Sequence, residues 1–129
     1  DLPLDVYQAD YERTFKKYGL INVFLITPQT SDERIRQIDE ASDGFIYMVS
    51  SASVTGSSSG FGNTQTDYFE RIATMNLKNP QIVGFGIKDS ETFKAATKSA
   101  KGAIIGSAFI KHLKANGVNS ISDFIQNIR

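Results

Sequence analysis

The chain is expected to form an α/β fold with a parallel sheet, and three observations carry that expectation. Four short apolar runs rich in β-branched and aromatic residues recur along it: Asn22–Ile26, Phe45–Val49, Gln81–Val83 and Ala103–Ile105. Each is near-continuously hydrophobic rather than alternating, the pattern of a strand covered on both faces. Helical periodicities separate the runs, giving the order α-β-α-β-α-β-α-β-α-α. Such alternation implies a parallel sheet with right-handed crossovers, here four βα units in one domain without linker or second domain.

The elements follow in order. The chain opens on Asp1-Leu2-Pro3, as though a strand ended just before it, and then on a helix whose Tyr7, Tyr11, Phe15 and Tyr18 share a face. After the first strand, Thr30-Ser31-Asp32-Glu33 reads as a capping box, with Thr30 as N-cap and Glu33 at the third helical position. Ile35, Ile38 and Ala41 then form the buried stripe of that helix. The second strand runs into Ser50–Asn63, a low-complexity stretch with seven Ser and Thr residues and Gly56, Gly60 and Gly62. A loop this long inside compact α/β repeats is usually functional or disordered. Its small polar residues suit a lid over the strand C-termini and equally an ordinary surface loop. Phe69, Ile72, Ala73 and Leu77 mark the next helix; Phe93, Ala96 and Ala100 mark a weaker one after Asp89-Ser90. Ser120 precedes the last, with Ile121, Phe124, Ile125 and Ile128 at helical spacing.

Composition narrows the function classes. Lys and Arg number 14 and Asp and Glu 14, with no block of like charge, which argues against nucleic acid or another polyanion as partner. Cysteine is absent, so thiolate chemistry and disulfides are excluded. No apolar run has the length of a bilayer span, so no membrane partner is expected and the expected location is the cytoplasm.

Two glycine turns carry the strongest functional signal. Gln81-Ile82-Val83 runs into Gly84-Phe85-Gly86, and Gly102-Ala103-Ile104-Ile105 runs into Gly106-Ser107. The second opens directly into a helix beginning Ala108-Phe109-Ile110-Lys111. A parallel strand that ends in glycine and feeds a helix presents bare N–H groups at the positive end of the dipole, which suits a phosphate. Ser107 is placed to cap that helix and to donate to the same anion. Either turn alone also serves as plain strand punctuation. Together they resemble the phosphate site after strands 7 and 8 of a (β/α)₈ barrel, although such a barrel takes about 250 residues. Tyr47 reads as a core aromatic with a hydroxyl needing a partner, and His112, the one histidine, as a packed or solvated side chain. No metal-ligand spacing, paired acids or Ser-His-Asp set stands out, so the chain offers a cradle without evident proton-transfer groups.

These residues carry a family likeness. Asp1-Leu2-Pro3-Leu4, Asn22 to Pro28, Thr30 to Ile35, Gly44 to Ser50, Val54-Thr55-Gly56, Gly84 to Ile87 and Ile105 to Lys111 resemble, in order and spacing, the second half of the tryptophan synthase alpha subunit. The resemblance implies strands 5 to 8 of a TIM barrel. It implies cleavage of indole-3-glycerol phosphate to indole and glyceraldehyde 3-phosphate, with indole passing to a beta subunit. The alpha chain carries no cofactor of its own, since pyridoxal phosphate belongs to that beta subunit. Gly56, Gly84, Gly86, Gly106 and Ser107 match residues that bind the substrate phosphate. Thr55 matches a lid threonine that orients a catalytic aspartate, and Tyr47 a wall tyrosine near that aspartate. Phe85 and Ile104, with Tyr47, match the indole pocket. Ser53 replaces the first glycine of the family's Gly-Val-Thr-Gly lid motif. The family's two catalytic acids lie on early strands with no counterpart here, so the chain by itself is expected to lack activity.

Four strands of such a barrel would expose two edges and one apolar face. Two outcomes are open: edge pairing of two copies into a barrel-like homodimer, or terminal helices swung over the face to give an open flavodoxin-like sheet. The competing functional class is a non-catalytic phosphate-binding module, and a third is a complementing half.

Overall fold

A computed structural model describes residues 2–50 and 63–129. The first helical stretch comprises α1 (Leu4–Val6), a π turn (Tyr7–Tyr11) and α2 (Glu12–Tyr18). There follow β1 (Leu25–Ile26), α3 (Asp32–Ala41), β2 (Ile46–Val49), α4 (Asn63–Thr74), β3 (Gln81–Gly84), α5 (Ser90–Thr97) and β4 (Gly102–Ala103). The chain closes with α6 (Ser107–Asn116), a 3₁₀ turn (Val118–Ser120) and α7 (Ile121–Ile128). The four strands lie in sequence order in one sheet, all parallel.

Register fixes the two faces of this sheet. Leu25 pairs with Tyr47, and Tyr47 with Ile82; Met48 pairs with Val83, and Val49 with Gly84. Ile26, Ile46, Met48 and Val83 are fully buried in a core with Ile35, Ile38, Phe69, Ile72 and Ala96 of α3, α4 and α5. Leu25, Tyr47, Val49 and Ile82, on the opposite face, are only half-buried. The near-continuous apolarity therefore does not correspond to equal cover on both sides. One face packs on helices, and the other is the surface that would line a barrel interior. The flavodoxin-like rearrangement does not form: α7 packs on α5 and α6, and the second face stays half-exposed.

Side-chain caps place the starts of α5 and α3. Asp89 caps α5 by accepting from Thr92 N at 2.9 Å, and the Thr92 hydroxyl accepts from Asp89 N, closing a capping box. Thr92 holds the Asp89 carboxyl below the usual carboxylate range, through its hydroxyl and then its backbone N–H. The N-cap of α3 is Ser31 rather than Thr30. Ser31 Oγ accepts from Arg34 N at 3.2 Å, while the Thr30 hydroxyl is occupied by Thr27 N at 2.9 Å. The first helix departs from one clean stripe because the π turn changes its angular step. Tyr7 is buried edge-on against Phe15 and Phe24, whereas Tyr11 and Tyr18 rotate into solvent.

Polar ties fasten the layers. Arg34 grips Asp5 through both guanidinium nitrogens at 3.0 and 2.7 Å, joining α1 to α3. Arg71 of α4 donates to Asp32 Oδ1 at 2.8 Å and to the carbonyls of Pro28 and Thr30 at 3.2 Å, pinning the turn after β1. At the N-terminal end of β3 the buried Asp39 carboxylate accepts from Lys78 N, Asn79 N and Asn79 Nδ2, each at 2.9 Å. Burial alone would raise its pKa, but the Asn79 and Lys78 donors outweigh it and hold the carboxyl below its ordinary value.

Asp39→Ala should therefore destabilise the fold by about 3 kcal/mol, because it orphans buried donors. Urea denaturation reads this directly. The sign of the acid dependence follows from the lowered pKa. Stabilisation by Asp39 is fully present above the unfolded carboxyl value of about 3.9 and is lost as pH falls through the folded value below it. Comparing urea midpoints at neutral and low pH should show this component in the native sequence and not in Asp39→Ala.

Candidate functional site

The C-terminal ends of the strands bring the chemistry-bearing residues together. β2 ends at Val49 and passes to Ser50; β3 ends at Gly84 and turns through Phe85 and Gly86; β4 leads through Ile104 and Gly106 into α6. The ladder continues past β4, with Ile104 N donating to Val83 O at 2.8 Å, so Ile104 lies alongside Gly84. Both glycine turns thus stand at neighbouring strand ends on one edge of the sheet, the end where open α/β folds bind ligands.

Tyr47 explains why Gly84 is glycine. It sits on the half-exposed face diagonally across the β2–β3 ladder, and a β-carbon on Gly84 would overlap its ring and hydroxyl. The Phe85 ring meets Tyr47 nearly edge-on, with centroids 5.9 Å apart. Burial pushes the Tyr47 phenol above its ordinary value, so it is a neutral donor across the physiological range. Phe85 and Gly86 both have left-handed backbones, φ +65° and +74°. Glycine adopts that conformation freely, and a bulky Phe does so at a cost. Phe85 is 59% exposed and Ile104 38% exposed, so the predicted indole-pocket residues are adjacent and open to solvent.

The second turn differs from expectation in one respect. Ser107 is the first residue of α6 and Gly106 its N-cap, and no side chain caps this helix. The Ser107 hydroxyl is therefore not a cap. No acidic residue stands in the first turn either, so the N–H groups there keep their full positive potential. A β-carbon on Gly106 would meet nothing within 4 Å, so packing does not demand glycine there.

The remaining candidates separate cleanly. Thr55 and Gly56, with Ser53 and Asp1, lie outside the described residues. His112 packs on Phe124 with centroids 5.0 Å apart and pairs through Nε2 with Ser120 O at 3.1 Å, a structural role. Among the described residues, the acids nearest the strand ends are engaged: Asp32 with Arg71, Asp89 with Thr92. Among the described residues no group of His, Cys, Asp and Glu is arranged to hold a metal. None of the described helices is long and apolar enough to cross a membrane. A concavity of about 720 Å³ lies at the other end of the sheet, lined by Asn76, Lys78, Gln81, Thr97 and Lys101 among others.

Sequence reasoning passed over Ser50. It is 2% exposed, its Oγ donates to Phe85 O at 2.6 Å, and its N donates to Gly84 O at 3.1 Å. A serine directly after an apolar strand was the available signal, and the low-complexity stretch that follows hid it.

A sequence profile of the tryptophan synthase alpha chain matches residues 1–128. The tryptophan synthase alpha chain of Flavobacterium johnsoniae is 72% identical over 129 residues, covering 100% of this chain and 51% of that protein. This chain belongs to the tryptophan synthase alpha chain family. The alpha-subunit structure from Campylobacter jejuni superposes with a TM-score of 0.80 at 23% identity, over 100% of this chain and 51% of that one, which bears on the fold. A chain of the tryptophan synthase complex from Pyrococcus furiosus gives 0.73 at 27% identity, over 99% of this chain and 50% of that one. The chain thus spans about half the length of the alpha-chain relatives it matches, and its four parallel strands form half of the family's barrel.

Gly84→Ala should cost about 2 kcal/mol, since the new methyl displaces Tyr47. In a Tyr47→Ala background the same substitution should be near neutral in thermal melts, a non-additivity that independent sites would not show.

Proposed function

We propose that this chain supplies the phosphate-holding half of the site at which the alpha family cleaves indole-3-glycerol phosphate to indole and glyceraldehyde 3-phosphate. The supporting observation is the convergence, at adjacent strand ends, of the left-handed Phe85-Gly86 turn and the uncapped N-terminus of α6. Backbone N–H groups of Gly86, Gly106 and Ser107 hold the phosphate, with Gly84 at the strand end leaving room beside them and Gly56 assigned to the same anion; Thr55 orients the catalytic aspartate. Phe85, Ile104 and Tyr47 border the indole ring. The neutral Tyr47 hydroxyl, lying over Gly84, is a donor within the same wall.

Proton transfer is assigned to acids outside this chain, since among the described residues the acids near the strand ends are engaged with Arg71 and Thr92. The chain has no cofactor of its own, works in the cytoplasm, and in the longer family protein faces a beta subunit that carries pyridoxal phosphate. In isolation the half-exposed sheet face pairs with a second copy, because apolar surface and open strand edges favour association.

Purified chain should release no indole from indole-3-glycerol phosphate above a blank, and should regain activity when mixed with a chain supplying the other four strands. Activity alone would overturn the assignment of roles. Glycerol 3-phosphate should shift the amide resonances of Gly86 and Ser107 in a saturable way; the absence of any shift would favour a structural module. Light scattering at micromolar concentration should give the mass of a dimer, and a stable monomer would sink the association.

A further inference from the structure

Ser50 closes β2 as a buried hydroxyl, and two of its hydrogen bonds go to consecutive carbonyls of the next strand's turn: N to Gly84 O at 3.1 Å and Oγ to Phe85 O at 2.6 Å. In a regular strand successive carbonyls point to opposite sides, so two neighbours aimed at one residue require a reversal between them. The left-handed Phe85, φ +65°, provides it. A planar trans peptide sets C=O and N–H antiparallel. Carbonyls of Gly84 and Phe85 turned towards Ser50 therefore turn the N–H groups of Phe85 and Gly86 away from it. Since β3 lies between β2 and β4, that direction is the side on which Gly106 and α6 begin. Neither amide donates to an acceptor among the described residues. Successive N–H groups pointing the same way form an anion-binding nest.

We propose that Ser50 is the positioning residue of this nest: its hydroxyl holds the Phe85 carbonyl back, and so presents the Phe85 and Gly86 amides together to a phosphoryl oxygen. This rests on the phosphate-binding reading above and names the side chain that shapes it. Ser50 itself touches no ligand. Alanine would remove the donor, leaving the Phe85 carbonyl free to turn and to place its partial negative charge nearer the anion.

The test uses the isotope-labelled 129-residue chain titrated with glycerol 3-phosphate and followed by amide resonances. Ser50→Ala should weaken binding about fivefold, the scale of one hydrogen bond. It should also move the ligand-free Phe85 and Gly86 backbone shifts away from left-handed values, with the thermal midpoint and distant resonances preserved. Ser50→Thr, which keeps the donor, should restore both. Ser50→Ala binding as the native chain does, with Phe85 and Gly86 unmoved, would overturn the role of Ser50 alone. Binding lost only together with global unfolding and not restored by Thr would overturn it as well. A native chain that does not bind would overturn the phosphate reading and this inference with it.

Discussion

Four residues of β2, Ile46–Val49, pair with four of β3, Gln81–Gly84, and the phase of that ladder orders the rest of the molecule. With Met48 opposite Val83, both side chains enter the helix-covered core beside Ile26. With Tyr47 opposite Ile82 and Val49 opposite Gly84, the other face receives an aromatic whose hydroxyl needs the space of an absent β-carbon. A slip of one residue would exchange the two faces, putting Tyr47 into the core and Met48 over the site. β1 and β4 pair over only two residues each and follow this central ladder rather than define it.

The two ends of the sheet are built by opposite rules. At the N-terminal end of β3, Asp39 satisfies Lys78 N, Asn79 N and the Asn79 amide at once. That arrangement serves stability, since buried polar groups are tolerated when their bonds are complete. At the C-terminal end, the Phe85-Gly86 turn is left-handed and α6 starts without a side-chain cap. Among the described residues, the Phe85 and Gly86 amides at this rim have no acceptor, and Phe85 beside them is exposed. In barrel folds of this kind the C-terminal face carries chemistry and the N-terminal face stability.

The apolar sheet face makes the assembly problem concrete. The relatives this chain matches are about twice its length, and Leu25, Tyr47, Val49 and Ile82 retain exposure on the face away from the helices. Their apolar character is not wasted sequence: it matches a barrel interior, which is why the strands read as hydrophobic on both sides while burying only one.

Strand positions, helix order and the two glycine turns were legible from residue type and spacing, because β-branched runs and period-3.6 stripes are local signals. The likeness to the alpha family was legible too, since its motifs fall in order along the chain. Distinctions decided by competition between neighbours were not. Thr30 and Ser31 are both good caps, and only the turn that gives the Thr30 hydroxyl to Thr27 settles the choice for Ser31. Ser107 precedes a helix as a cap would, yet the helix begins on it. The overlap of Tyr47 with Gly84 and the reach of Ser50 to Phe85 join residues 37 and 35 positions apart, and no local pattern encodes contacts set by ladder register. The amino-acid order by itself determined which segments become strands, which become helices, and that glycines close two of the strands. Tertiary structure alone decided which face is covered, which glycine is sterically required, and which serine shapes the turn, because each depends on pairing between distant strands.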